Sequence, residues 1–588
     1  MTMLGYQNKV LRINLSEKTS STEPLRMDFA EKYIGSKGLV LRYMYEELAP
    51  GIDPLGPDNK LFLTTGPLTG TPVPCSGKLS IAAKSPATGT TNDCSVGGHV
   101  GIRLKYAGYD MAILEGKFEE PGYLVIDNDK ITFHSAEGLW GLGSHDAEKQ
   151  LAAKYGTEYS VLSIGPAGEN LNIMSCINCD YYRQAGRGGI GAVMGSKNVK
   201  AILIRGTGGV KVNDIENTTK RLFEILRNDA VNEDHQFIFD DGTTAFLEAC
   251  NDGGILPYKN FSDTTDSDWT KYNGEVLNAH RQGKRGCGSC GLGCGNFLKI
   301  GDAVCEGPEY ETIAVAGPNA GNTDPEKIVK FNEVCDNMGL DTISAGDTIV
   351  WAMEMTETGR HDFGIKFGEA DKMIEYVELM AKNEGVGADL ALGTKKAAEK
   401  FGGEDIAMQV KGLEYPQYEP RGSWGTALAY AVSDRGACHM RSYPPNAEVF
   451  EASCDPYTAE GKGQLVYDLG NYNAAKFSMC ICDFWGLGQD LQAELMSLIT
   501  GKEWTEADVI EVGRNVINIA RAFNQREGFN RVHDTVPKRV IRDVIANGPA
   551  AGQTIPPEAF ESMLDQYYEV MGWDKNGMMP QELIDSLL

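Results

Sequence analysis

AGRGGIGAVMGSKNVKAILIRGTGGV, residues 185–210, is the stretch that divides the chain into its two textures. It opens on a glycine-rich loop, runs into an apolar segment, Val199–Ile204 (VKAILI), and ends in small polar residues. Upstream, short apolar runs bounded by turn residues recur: Lys60–Thr65 (KLFLTT), Leu79–Ala83 (LSIAA), Met111–Leu114 (MAIL) and Tyr123–Ile126 (YLVI). These read as strands, as do Val10, Leu11, Ile13 and Leu15 near the N-terminus. Downstream, helical periodicity takes over at Thr218–Arg227, Pro325–Met338, Asp371–Lys382, Lys395–Lys400, Thr505–Asn524 and the last thirty residues. Asp324-Pro325-Glu326 is a strong helix start, with a cap, a proline at the first position and an early acid. Ile328, Phe331, Cys335 and Met338 then share one face, and Gly339 suits a left-handed stop. A polar, proline-marked link, Pro416–Arg421 (PQYEPR), marks a second boundary. The expected class is α+β: a β-rich domain over residues 1–208, then two mainly helical domains over 209–416 and 417–588.

Composition narrows the function. The chain has 588 residues, 42% apolar and 23% charged, the profile of a soluble globular protein. No run approaches the roughly 20 apolar residues of a membrane span. Met1–Leu15 lacks the basic-then-apolar pattern of a signal peptide, so the expected location is the cytoplasm. A net charge of −27 argues against nucleic acid and against anionic membrane surfaces. Fourteen cysteines in such a chain point to metal where they cluster and to core packing where they scatter.

They cluster in RGCGSCGLGC, where Cys287, Cys290 and Cys294 form a C-x2-C-x3-C run spaced by glycines. One tight loop can turn three such thiolates toward one centre, and a cubane iron–sulfur cluster needs a fourth from elsewhere. A zinc ribbon is the rival, but it wants a second C-x2-C about 15–20 residues on, and only Cys305 follows nearby. Core packing is the third reading. Cys176 and Cys179 share the C-x2-C spacing without a thioredoxin-like setting and read as buried packing residues.

Gly186-x-Gly188-x-x-Gly191 formally matches a dinucleotide fingerprint, but no plain apolar strand precedes it and no acid follows at about 20 residues. Arg183 and Arg187 nevertheless flank a backbone able to cradle phosphate. Two further glycine-rich loops, Gly66–Lys78 and Ser95–Gly101, suggest one large phosphate-bearing ligand.

These segments together resemble the tungsten-containing aldehyde ferredoxin oxidoreductases. The matching stretches are GPLTGTPVP, KSPATG, AGRGGIGAVMGSKNVKAI, C-x2-C-x3-C, GPEYET, DNMGLD and EPRG…LAYAVSDRGACHMR. The resemblance implies two pyranopterin dithiolenes around one tungsten (or molybdenum), with one 4Fe–4S cluster beside a pterin. It assigns Asp336-Asn337-Met338-Gly339-Leu340-Asp341 as a pterin motif, with Asp336, Leu340 and Asp341 as contacts. A degenerate second copy, AAKFSMCICDF, has Phe477 where an acid is expected and ends on Cys482. Cys482 is thus the implied fourth cluster ligand, with Cys480 the runner-up. Lys78 stands where an arginine usually meets phosphate, and keeps its charge but not its fork. Ser95 and the Ala185 carbonyl map to a magnesium site between the pterin phosphates, beside Gly186, Arg187 and Gly188. An interface iron motif of some relatives has no match, and Lys330 falls near its glutamate position.

By the same resemblance, Glu311 of GPEYET is the general base and His439 of GACHMR the hydrogen-bond partner of the carbonyl, next to the metal. The implied reaction oxidises a small aldehyde to a carboxylic acid and passes electrons through the cluster to ferredoxin or an iron–sulfur partner subunit. Homodimer and hetero-oligomer are both compatible. Two other readings share the residues: the catalytic subunit of a tungsten-dependent aromatic acyl-CoA reductase, and a non-catalytic electron relay.

Overall fold

Two six-stranded mixed sheets carry the N-terminal part in the computed structural model, which describes residues 3–227 and 233–588. In the first, the strand order is Thr19–Pro24, Lys9–Asn14, Met111–Glu115, Leu61–Thr64, Leu79–Lys84, Thr91–Val96. In the second it is Arg183–Ala185, Ile177–Cys179, Ser160–Ser163, Val199–Arg205, Gly122–Asp127, Lys130–Ser135. Each sheet has one parallel pair, Lys9–Asn14 with Met111–Glu115 and Val199–Arg205 with Gly122–Asp127. Every residue of Leu61–Thr64 and Leu79–Lys84 is buried, so these strands are covered on both faces and show no in–out alternation. Leu63, Ile81 and Leu114 of one sheet share a core with Leu124, Leu162 and Ile202 of the other.

The strands expected from the short apolar runs are all present. Not foreseen is the helix Ser36–Glu47, inside the segment read as mainly β. It packs on Leu79–Lys84 and against two C-terminal helices, Lys462–Ser478 and Glu506–Arg526. Nine consecutive residues, Ser36–Met44, are buried, so the sequence shows no one-sided stripe to read. Lys37 is kept in this interior by Asp93 and Asp434, each 2.8 Å from its Nζ.

The helix Pro325–Met338 has the bounds that its sequence predicted. The Asp324 carboxylate caps Glu326 and Lys327, and Gly339 closes it at φ +77°. Asp341 then caps Thr342–Glu357 through the N–H groups of Ile343 and Ser344. A three-stranded sheet, Arg281–Arg285, Gly295–Ile300 and Ala303–Glu306, interrupts this helical region, and the cysteine loop joins its first two strands. The stretch 416–421 is no solvent-exposed link: Gln417, Glu419 and Arg421 are wholly buried. Its charges neutralise each other, with Arg421 Nε and Nη2 each 2.8 Å from a Glu419 oxygen. Removing one partner of such a pair costs about 3–5 kcal/mol. Among the described residues no helix is long and apolar enough to cross a membrane.

Candidate redox and active site

The cysteine loop is pressed against the first sheet domain by two glycine-rich segments. A Cβ on Gly77 would lie 2.2 Å from the Gly288 carbonyl oxygen, and one on Gly97 would lie 2.6 Å from Cys287 Sγ. Only glycine allows that approach. The loops Gly66–Lys78 and Ser95–Gly101 therefore seat the cysteine loop, a role their composition did not reveal. Residue 75 is the rivet: its N–H donates to Ser289 O (2.7 Å), and its carbonyl accepts from Cys482 N–H (2.9 Å). Cys482 is thereby carried beside the 287–294 loop. Cys480 faces away, its Sγ 2.8 Å from Lys78 O.

Two cations border these sulfurs. Lys78 Nζ pairs with Asp483 at 3.2 Å. Burial works against its ammonium, but Cys482, Asp483 and Cys287 outweigh it and hold the pKa above the ordinary lysine range. Arg183 Nη2 lies 3.5 Å from Cys294 Sγ and 3.0 Å from Glu306, and its Nη1 3.2 Å from Glu309. Its guanidinium thus serves the cysteine loop. Cys176 and Cys179 do not join: Cys176 Sγ meets Asn178 and Cys179 Sγ meets Gly97 O, both at 3.5 Å. An open cavity of about 830 Å³ lies on the outer side of the loop, against Cys287 and Cys290, with Pro72, Pro74, His99 and Ile102 in its walls.

The second constellation lies where residues 183–188 meet the helical parts. Asp336 accepts from Gln184 at 2.9 Å, and burial, then Glu333, pushes its pKa up to about 8. Leu340 bridges to Ser175. Arg187 bonds through all three of its nitrogens: Nε with Asp341 at 3.2 Å, Nη1 with Ala437 O at 2.7 Å, and Nη2 with Glu414 O at 2.6 Å. Beyond the phosphate contact expected of it, Arg187 clamps three distant segments together. Ala185 is buried and pairs with Ile177, and the space where a Gly186 side chain would stand is open. At Gly188 a side chain would strike Asn92. Asn92 Nδ2 donates to Arg187 O at 2.9 Å, and its Oδ1 is buried without a partner. Ser95, an odd number of positions along the same strand, projects from the opposite face and is exposed.

Glu311 and His439 come together from residues 128 apart (439 − 311). Glu311 sits in the first turn of Tyr310–Ala316. Gln417 N–H donates to its Oε2 at 2.7 Å, while Oε1 stands 3.5 Å from His439 Nδ1. Both Oε1 and Nδ1 lack a hydrogen bond. Burial pushes the Glu311 pKa up to about 8, against the Gln417 N–H and Arg187. Burial, with Arg187 and Arg435, pushes His439 down to about 3, so the imidazole is neutral. Tyr418, ringed by Tyr310 and Tyr443 at centroid distances of 4.9 and 5.2 Å, lies 5.8 Å from the His439 ring.

Arg435 and Gln417 are not among the expected site residues, and Cys438 is expected only as a core packing residue. Arg435 brackets Cys438 Sγ with Nε at 3.3 Å and Nη2 at 3.1 Å. Both lie in SDRGACHMR, four and one positions before His439, but their pairing depends on a turn that the sequence does not display. Gln417 acts through its backbone, which no side-chain pattern records.

Among the described residues no three His, Cys, Asp or Glu side chains converge around a single ion. Neither implied group requires it. A cubane spreads its thiolates over separate irons, and a dithiolene-bound metal takes its sulfur from the pterins. The donor chemistry fits: thiols with flanking cations at one site, and buried unpartnered oxygens and nitrogens with open space at Gly186 at the other.

Known proteins match along the whole chain. Residues 10–206 match the family described as aldehyde ferredoxin oxidoreductase, N-terminal domain, and residues 218–587 match its domains 2 and 3. A tungsten-containing aldehyde ferredoxin oxidoreductase of Pyrococcus furiosus is 35% identical over 604 residues, covering 100% of this chain and 99% of the relative. An aliphatic sulfonate oxidoreductase, WOR-like subunit, from the same organism is 28% identical, with 100% and 97% covered. In fold, the chain is similar to one in the active-site complex of benzoyl coenzyme A reductase solved with 1,5-dienoyl-CoA, at TM-score 0.83 and 22% identity, with 100% and 97% covered.

Proposed function

Since the chain belongs to the aldehyde ferredoxin oxidoreductase family, we propose that this oxidoreductase converts aldehydes to carboxylic acids at a tungsten (or molybdenum) bis-pyranopterin. The observation that carries this reading is the Glu311–His439 pair, 3.5 Å apart with the facing atoms of both free of other bonds. When bound, the metal–pterin supplies two-electron redox and oxygen-transfer chemistry. The chain supplies the rest. His439, neutral, has a single ring N–H to offer an aldehyde carbonyl oxygen, and it adds no competing charge. Glu311 Oε1 takes the proton released as the carboxylic acid forms, while the Gln417 N–H holds the other oxygen still. Tyr310, Tyr418 and Tyr443 form an aromatic wall for the aldehyde substituent.

Cys287, Cys290, Cys294 and Cys482 are the proposed ligands of one 4Fe–4S cluster, which passes electrons singly to ferredoxin or an iron–sulfur subunit at the open cavity beside Cys287 and Cys290. Asp336, Leu340 and Asp341 are the proposed contacts of one pterin, and Lys78 the proposed cation for a pterin phosphate. Ser95 and the Ala185 carbonyl remain the proposed magnesium contacts. The deciding experiment is tungsten, molybdenum and pterin analysis of the purified protein, together with aldehyde-dependent reduction of a viologen dye. Metal with dye reduction supports the reading; a cluster without tungsten or molybdenum makes the protein an electron relay.

Two outcomes follow from the site. The base must be ionised, and the Glu311 carboxyl is protonated below about pH 8. The kcat/KM for aldehyde is therefore expected to rise with pH, about tenfold per unit, and to level off near pH 8; a flat profile from pH 6 to 9 contradicts it. Arg187→Ala strands the Ala437 and Glu414 carbonyls, each costing about 1–3 kcal/mol. The variant is expected to melt at lower temperature and to lose metal and pterin together. Normal metal content would make residues 185–189 a structural turn only.

A further inference from the structure

We propose that the Cys75 thiol, a fifth cysteine in the pocket of the proposed cluster, donates a hydrogen bond to the Cys290 sulfur and so raises the cluster's reduction potential. This rests on the cluster assignment above. Cys75 Sγ lies 3.8 Å from Cys290 Sγ, within reach of an S–H···S bond. The side chain is buried, at 4% exposure, so water does not compete for the thiol.

The sulfur is also held in place. The residue's N–H is fixed on Ser289 O and its carbonyl on Cys482 N–H, at 2.7 and 2.9 Å. Its φ of +57° is a left-handed conformation that a residue bearing a Cβ rarely adopts, and these two bonds maintain it. One bond leads to the loop that carries Cys290, so donor and acceptor sulfurs move as a unit.

Cys75 is not a ligand in this scheme. Its sulfur and that of Cys290 are too close to occupy two corners of one cubane, where each ligand sulfur stands on its own iron. Cys290 also belongs to the compact 287–294 loop, whereas Cys75 approaches from the sheet domain behind it. A thiolate ligand carries more negative charge when the cluster is reduced than when it is oxidised. A donor on that sulfur stabilises the reduced state more, and the midpoint rises. Cys75 is thus a positioning and tuning residue that acts through Cys290.

The test uses the cluster-loaded enzyme and two variants, Cys75→Ala and Cys75→Ser. Both keep the Cβ that Cys75 already carries at φ +57°, so backbone strain is unchanged. Iron and sulfide content, the reduced-state paramagnetic spectrum and a potentiometric titration of the cluster are measured for all three. Both variants are expected to keep wild-type iron. The midpoint of Cys75→Ala should move to a more negative potential, and that of Cys75→Ser, whose hydroxyl still donates, should fall between. Loss of iron from Cys75→Ala would make the residue a ligand and overturn the proposal. So would full iron with an unmoved midpoint, which leaves the cluster assignment standing. Wild-type protein with zinc and no iron–sulfur cluster takes down the assignment and the proposal together.

Discussion

Glu311→Gln is expected to keep its tungsten or molybdenum, its pterins and its cluster while losing about 10²–10⁴-fold in kcat, the usual contribution of a positioned general base. The amide preserves shape and can still accept the Gln417 N–H through its oxygen, so the 2.7 Å bond survives. What disappears is the ionisable oxygen facing His439 at 3.5 Å. Glu309→Gln is the internal control. Glu309 lies two residues earlier, bonded to Arg183 and Thr243 on the cysteine-loop side and 40% exposed, and an amide satisfies most of those contacts. It should cost little. His439→Asn should lose activity too, with a larger rise in KM if the ring orients the carbonyl. Near-normal turnover by a fully metallated Glu311→Gln enzyme ends the assignment, and a crippled Glu309→Gln transfers the role to that residue.

Cys482→Ser is expected to abolish or severely weaken the cluster's visible absorption and its reduced-state paramagnetic signal, as should serine at 287, 290 or 294. Cys480→Ser should leave both intact. The two cysteines are only two positions apart but differ in direction: Cys482 hangs from the Cys75 carbonyl beside the cysteine loop, whereas Cys480 Sγ is spent on Lys78 O. Serine at Cys176 or Cys179 is the second control, because those sulfurs end on Asn178 and Gly97. Retention of the cluster in Cys482→Ser with loss in Cys480→Ser reverses the choice of ligand.

The parts legible in the sequence were those whose causes are local. Asp324, Pro325 and Gly339 set a helix's ends through bonds to residues two to four positions away, so both ends could be placed. The capping role of Asp341 is of the same kind. The helix Ser36–Glu47 escaped because burial on all sides erases the polar face that periodicity needs. PQYEPR read as a surface link because its charges look unpaired in one dimension, and only folding sets Arg421 against Glu419 with further bonds to remote carbonyls. Within the site, motifs supplied residue types but not directions. Arg187 beside glycines suggested phosphate, yet its partners at 341, 414 and 437 lie far along the chain. Ser95 and Asn92 are indistinguishable as polar strand residues until the pleat assigns them opposite faces. Cys75 looked like a scattered packing residue because its partner sulfur is 215 positions away.

The two backbone bonds at residue 75 also bear on how the protein is made. They join an early segment to residue 289 and to residue 482, a span of 407 positions (482 − 75). During translation the first two participants emerge before the third has been synthesised. The pocket cannot be completed until the helices that deliver Cys482 have been synthesised and docked. Closure of this pocket is therefore tied to a late stage of translation: a product truncated before residue 482 keeps Cys287, Cys290 and Cys294 but lacks the segment that bonds the residue 75 carbonyl.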